Sequence, residues 1–190
     1  MDTIDGFWRW FETNADDLRA EPDGDLVVDT IGAELSKVHE GLIGEISRDP
    51  KSDPTLIISA NGNRALFPFV ERVFAERPTI AGWDVLAFRP PATEGDLGVI
   101  DMDGQQLDTK LIRFTASRDE SGGKLELDVY VPGYSEEDET IGAMGFIALD
   151  HTVGEYAMET RIGGIAWYPL EDAPESARPL AELNAALPKD

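Results

Sequence analysis

Between Ile141 and Leu170 the chain reads IGAMGFIALDHTVGEYAMETRIGGIAWYPL, its longest nearly uncharged apolar run. So much apolar side chain has to be buried, and its periodicity changes halfway. Up to Val153 the spacing predicts a buried helix, with Gly154 as its stop. From Tyr156 the pattern alternates as a strand does: Tyr156, Met158, Thr160 and Ile162 against Ala157, Glu159 and Arg161. Past Gly163 and Gly164 the apolar set moves to Ile165 and Trp167, a one-residue change of phase that predicts a β-bulge. A buried helix feeding a core strand predicts a layered α+β protein. It says nothing about activity.

At 190 residues the chain is expected to form one domain, and 42% apolar residues suffice for a core. No apolar run approaches the roughly 20 residues that span a bilayer. The opening MDTIDGFWRWF has acids where a signal peptide needs a basic region. There is no cysteine, which excludes disulfides and thiolate chemistry and points to the cytoplasm. Sixteen basic against 38 acidic residues give a net charge of −22. Such a chain repels nucleic acid and anionic membrane. The acids are spread along the whole sequence, as on a solvating surface or in a salt-rich cytoplasm. The sharper reading is an acidic face for a basic protein partner, and Ser135 to Thr140, SEEDET, is the one dense cluster.

In chain order, residues 3–20 predict an amphipathic helix capped by Asp2 or Thr3. Ile4, Phe7, Trp8, Phe11, Ala15 and Leu18 fall on one stripe, and Trp10 lies off it. These aromatics predict a lid packed on a sheet, with a partner-binding face as the alternative. EPDGD, residues 21–25, breaks the helix. A second helix is expected over 26–40, stopped by Gly41, with His39 near its end. Strands follow at 42–47 and 55–60, joined by RDPKSDP. Asn63 is a candidate N-cap for a helix starting near Phe67, because Pro68 is tolerated only in the first turn. Residues 83–89 form a strand, and the loop 90–98 is the weakest seam. After a short strand at 99–102, strands at 110–117 and 125–131 flank the turn DESGG. In the second of these, Leu125, Leu127, Val129 and Val131 face the core. Residues 156–167 complete the strands, EDAPESARP is a linker, and Leu180, Leu183 and Leu187 mark a short terminal helix. Two halves, about 42–89 and 110–168, therefore share the order hairpin, helix, strand. The expected fold is α+β: one mixed, mostly antiparallel sheet of about six strands, helices on one face, and an N-terminal helical cap over 3–40.

Four local patterns, FWRWF, ISANGNRALFPFV, WDVLAFRP, and LDHTVGEY followed by ETRIG, together resemble a family of acidic bacterial α+β proteins without an established activity. They cover roughly half the chain. The resemblance implies a single domain and brings no catalytic residues.

Asp150, His151 and Glu155 are the nearest approach to a catalytic grouping. A histidine flanked by acids can act as a general base, yet no serine or cysteine nucleophile stands beside it in an elbow motif. Gly154 breaks the helix between His151 and Glu155, and a helix-end histidine is the plainer reading. Asp101-Met102-Asp103-Gly104 echoes the start of a calcium loop, but position 12 is Ile112 where the loop needs glutamate. That stretch reads as a turn, and no metal or cofactor is expected. Phosphate-binding and dinucleotide fingerprints are missing, as is the H-E-x-x-H spacing of zinc proteases. Asn61, Asn63, Arg64 and Arg89 sit at the ends of predicted core elements, where sites gather. The asparagines also suit capping and positive φ, and Arg89 suits pairing with a carboxylate. Two functions follow as expectations. One is a non-enzymatic, immunity- or inhibitor-like domain that binds a protein partner. The other is a small hydrolase-like or ligand-binding domain centred on His151, Glu155 and Arg89.

Overall fold

The computed structural model describes residues 3–48, 51–92, 98–118 and 123–188. The proposed cap Asp2, residues 49–50 of RDPKSDP, 93–97 of the seam and 119–122 of DESGG lie outside the described residues. The protein is α+β, and the chain divides into two compact units, Met1–Arg89 and Pro90–Asp190. The border falls at the start of the seam expected from the sequence.

In the first unit, α1 (Thr3–Ala20) buries the predicted stripe: Ile4, Phe7, Trp8, Phe11, Ala15 and Leu18 are all core residues. Two indole N–H groups fix it in place. Trp8 Nε1 donates to the Val73 carbonyl at 2.9 Å, and Trp83 Nε1 donates to the Ala15 carbonyl at 3.0 Å. Helix α2 (Gly24–Leu35) starts on Asp23, whose side chain accepts from the amides of Asp25 and Leu26. It begins two residues before the expected start and ends well short of Gly41. From Ser36 the backbone tightens, Lys37 and Val38 donating to the carbonyls three residues back. Strands β1 (Ile43–Ser47) and β2 (Thr55–Ser59) form an antiparallel hairpin. Asn63 accepts from the Ala65 amide, as a cap does, and opens a short 3-10 turn before α3 (Phe67–Ala75). Strand β3 (Asp84–Ala87) then pairs parallel with β2. It is shorter than expected because Phe88 turns into the left-handed region at φ 65°.

The second unit opens with an antiparallel pair, β4 (Val99–Met102) and β5 (Gln105–Asp108), around the turn Asp103–Gly104. The calcium-like stretch is thus a hairpin turn, and β5 was not expected. Strand β6 (Arg113–Arg118) is antiparallel to β7 (Leu125–Val131). Leu125, Leu127, Val129 and Val131 are buried as the alternation required; Tyr130 on the other face is buried as well, its ring stacked on Tyr168. Asp138 caps α4 (Glu139–Val153) through the amides of Thr140 and Ile141. Part of the SEEDET cluster is therefore a helix start, with Glu139 at the favourable end of the helix dipole. Gly154 ends α4 at φ 80°, ψ 153°, a backbone that disfavours side chains.

The chain then corrects the sequence reading. Residues 155–161 are helix α5 (Glu155–Arg161), where alternation predicted strand. Glu155, Met158 and Ile162 are the buried positions, and their spacing of three and four is helical. Strand β8 (Ile162–Pro169) pairs parallel with β7, and its register slips at Gly163 as the predicted bulge requires. Gly145 on α4 lies against Trp167: a Cβ there would meet the indole at 2.9 Å. Within the expected linker, β9 (Arg178–Pro179) adds to the free edge of β6. The terminal α6 (Leu183–Ala186) buries Leu183, with Leu180 and Leu187 beside it.

The single six-stranded sheet is the second correction. Among the described residues there are three small sheets, ordered β1-β2-β3, β4-β5 and β8-β7-β6-β9; the first and third are mixed and the second is antiparallel. Both halves do follow hairpin, helix, strand. In each, the crossover delivers the last strand parallel to the second strand of its own hairpin, so each half closes a sheet by itself.

Candidate functional site

Of the residues singled out from the sequence, Asn61, Asn63 and Arg89 belong to the first unit. The parallel pair β2 and β3 carries Asn61 and Arg89 at the same end, just past the carboxyl termini of the two strands. Asn61 has φ 51°, and its amide donates to the buried Ser59 hydroxyl at 2.9 Å. Asn63 serves as a cap. Arg89 forms a two-point ion pair with Glu45 of β1: Nε donates to Oε2 at 3.0 Å, and Nη2 donates to Oε1. Phe88, next to Arg89 in the chain, is a bulky residue at positive φ, held by the hydrogen bond its amide donates to the Ile58 carbonyl and by Phe67 at 4.5 Å. This corner is an ordered strand end whose guanidinium already faces a carboxylate.

His151 and Glu155 belong to the second unit. His151 lies in the last turn of α4, and its carbonyl accepts the Ala92 amide at 2.7 Å. Glu155 opens α5 at 1% exposure, with Gly154 turning the chain between the two. Among the described residues no group of three or more His, Asp or Glu side chains is arranged to hold a metal ion. No described helix is long and apolar enough to cross a membrane.

The feature that sequence reasoning passed over is a groove in the first unit, between α1 and the first turns of α2. It encloses about 240 Å³ and is lined by Trp10, Asn14, Asp17, Leu18, Glu21, Leu26, Val27 and Thr30. The α1 wall is a second stripe beside the core stripe. Positions 10, 14, 17, 18 and 21 repeat at helical spacing, which puts them on one side. The aromatic that lies off the core stripe is the one that faces this groove. Leu18 and Val27 form an apolar base, while Leu26 is 52% exposed at the rim. Two of the polar groups are engaged by the backbone of their own helices: Asn14 Nδ2 donates to the Trp10 carbonyl, and the Thr30 hydroxyl donates to the Leu26 carbonyl, both at 2.7 Å. Glu21 Oε1 accepts the Asp23 amide at 3.0 Å. Acceptors and carboxylates therefore dominate what remains, beside an indole and an aliphatic base. Drug-sized ligands occupy pockets of roughly 300–1,000 Å³; this one fits a single large side chain.

Compared with known proteins, the chain matches no family model, no curated protein and no solved structure. The site is therefore argued from its own geometry.

Proposed function

We propose that this chain is a non-enzymatic domain that binds a basic protein partner, in the manner of an immunity or inhibitor protein. The groove of the first unit carries the reading: it is lined by an exposed apolar rim at Leu26, by the Trp10 indole and by two carboxylates, Asp17 and Glu21. Interfaces are anchored by aromatic and aliphatic groups in pockets, with polar groups around them. The net charge of −22 supports it by attracting cationic surfaces over a distance and repelling nucleic acid and anionic lipid. A chain without cysteine suits the reducing cytoplasm, where we place it.

The test is capture on the immobilised full chain from native lysate, followed by titration of the purified partner. The expected result is a saturable basic protein whose association rate falls steeply between about 0.05 and 0.5 M salt, as the Debye length shrinks from about 14 Å to about 4 Å. A set of cationic proteins that bind without saturation and release together would show that the acidity is a solvating surface only.

A further inference from the structure

We infer that the outer edge of β8, residues 164–168, pairs antiparallel with the same strand of a second copy of this chain about a two-fold axis, so that two four-stranded sheets join into one. This goes beyond the partner-binding reading and lies in the other unit. The first observation is the state of the edge. Strand β8 ends the order β8-β7-β6-β9, and its eight residues make it the longest strand among the described residues. A terminal strand turns the amide and carbonyl of every second residue outward. Among the described residues, no hydrogen bond joins the backbone of 164–168 to anything but β7. The second observation is that the protections of an edge are missing here. Edges are kept from pairing by shortness, charge, proline or a bulge. Strand β3 has four residues and ends at the positive φ of Phe88, and β1 carries Glu45. On the far side of the same sheet, β9 covers β6 at Arg113 and Phe114. The bulge at Gly163 and Pro169 bound β8, but the five residues between them, GIAWY, hold neither charge nor proline.

The third observation selects the occupant. At a net charge of −22, two copies repel wherever their acids meet, so a contact between copies needs an uncharged stretch. Strand β8, IGGIAWYP, is one. An edge strand is also its own complement under a two-fold axis. With the axis at Ala166, Ile165 stands opposite Trp167 of the second copy and Gly164 opposite its Tyr168, both favourable kinds of cross-strand pair. Exposed apolar surface is at hand: Tyr168 is 39% exposed, and Phe146, next to the Gly145 that lies against Trp167, is 47% exposed. The nearest acids are Asp128 on β7, beside Ala166, and Glu126, whose carboxylate lies over Gly163 and Gly164. Three strand spacings separate Asp128 from its counterpart, and four residue steps separate Glu126 from its own. Both come to about 14 Å, beyond the ~8–10 Å Debye length at physiological salt.

The experiment follows the full chain by sedimentation equilibrium and amide NMR from about 10 μM to 1 mM, because an edge pairing buries less than the ~800 Å² per partner of a standard interface. A reversible monomer–dimer equilibrium is expected, at least tenfold tighter at about 1 M than at about 0.05 M salt, the reverse of the dependence for a basic partner. The amides of residues 164–168 should shift with concentration. A mixture of ¹³C-labelled and unlabelled chain should show intermolecular Hα contacts at residues 165–167. Ala166→Lys sets like charges opposite each other across the axis and should weaken the dimer at least tenfold, although it lowers the net charge of each copy. Its melting temperature at low concentration should not fall, because the lysine stands beside Asp128 on β7. A chain that stays monomeric at 1 mM in high salt overturns the inference. So does a dimer that salt dissociates, one that Ala166→Lys leaves unchanged, or one whose intermolecular contacts lie elsewhere. A monomeric chain that loses a captured basic protein through Ala166→Lys also overturns it, since the edge then belongs to that protein.

Discussion

Phe11→Ala tests whether α1 is a structural lid or an adornment. Phe11 is fully buried, with the rings of Trp83, Trp8 and Phe7 at 5.1, 6.0 and 6.1 Å. Burying such a ring is worth roughly 2–3 kcal/mol in transfer alone. The cavity raises the cost of truncation to about 3–5 kcal/mol, because three large neighbours fixed by their own contacts cannot close over it. Two of those neighbours donate the indole bonds that tie α1 to Val73 and link Trp83 to Ala15. A whole domain has only about 5–15 kcal/mol of stability, so the variant should retain a weakened fold. Urea titration followed by far-ultraviolet circular dichroism reads the change. With a slope near ~2 kcal/mol/M, the midpoint should fall by roughly 1.5–2.5 M. Phe69→Ala is the control: Phe69 is 41% exposed, beside His39 at 4.8 Å, and should lose no more than about 1 kcal/mol. A Phe11 midpoint no lower than the Phe69 midpoint, at equal slope, refutes the reasoning and frees α1 to be a partner-binding face throughout.

Gly145→Ala should destabilise the protein by about 1–3 kcal/mol despite the ~1 kcal/mol gain in helix propensity, because the methyl meets Trp167; a raised melting temperature contradicts this. Arg89→Met should lower stability by on the order of 1 kcal/mol, since the Glu45 carboxylate stays partly buried without its partner. Adding Glu45→Met should recover part of that loss, and a double-mutant cycle with zero coupling would show the pair to be idle. Raising salt from 0.01 to 1 M should raise the melting temperature smoothly as self-repulsion is screened, and a flat profile refutes that account.

Local features were legible because they follow from local chemistry. The α1 stripe, the Asn63 cap, the start of α3 at Phe67, the Gly154 stop and the bulge at Gly163 each depend on a few adjacent residues. Residues 156–161 were misread because six residues satisfy alternation and helical spacing equally. The decision lay with Glu155, a buried carboxylate that a hydrophobicity pattern does not count. Strand β5 was missed because Gln105, Gln106 and Asp108 are polar, and only Leu107 is buried. Strand partnership was the larger miss. Alternation says that a strand has an inside face, but not which strand lies beside it, and so one sheet was expected where each half closes its own. The groove escaped for the same reason: its α1 wall is readable as a second stripe, but its α2 wall exists only once the chain turns at Pro22–Asp23.

The acidity itself has a physical logic once the ion pairs are placed. Arg9–Asp5, Arg19–Asp16, Lys37–Glu34, Arg72–Glu76 and Arg178–Glu182 all join residues three or four apart in sequence. Exposed pairs of this kind contribute only a few tenths of a kcal/mol. Arg89–Glu45 is different, because it joins a strand end to a strand 44 residues away at partial burial. Many of the scarce cations thus answer acids within their own turn of chain, and with 38 acids against 16 bases most carboxylates have no fixed counter-charge. A dispersed excess of this kind raises the encounter rate with any cation, yet it selects none. Selectivity requires a place where charge coincides with shape. Under the proposed function, that place in the first unit is the α1–α2 groove, whose lining includes Leu26, Asp17 and Glu21. The two carboxylates at the end of α1 should therefore govern the dissociation rate of a basic partner, whereas charge changes elsewhere, such as Glu136→Gln with Glu137→Gln, should act on its association rate.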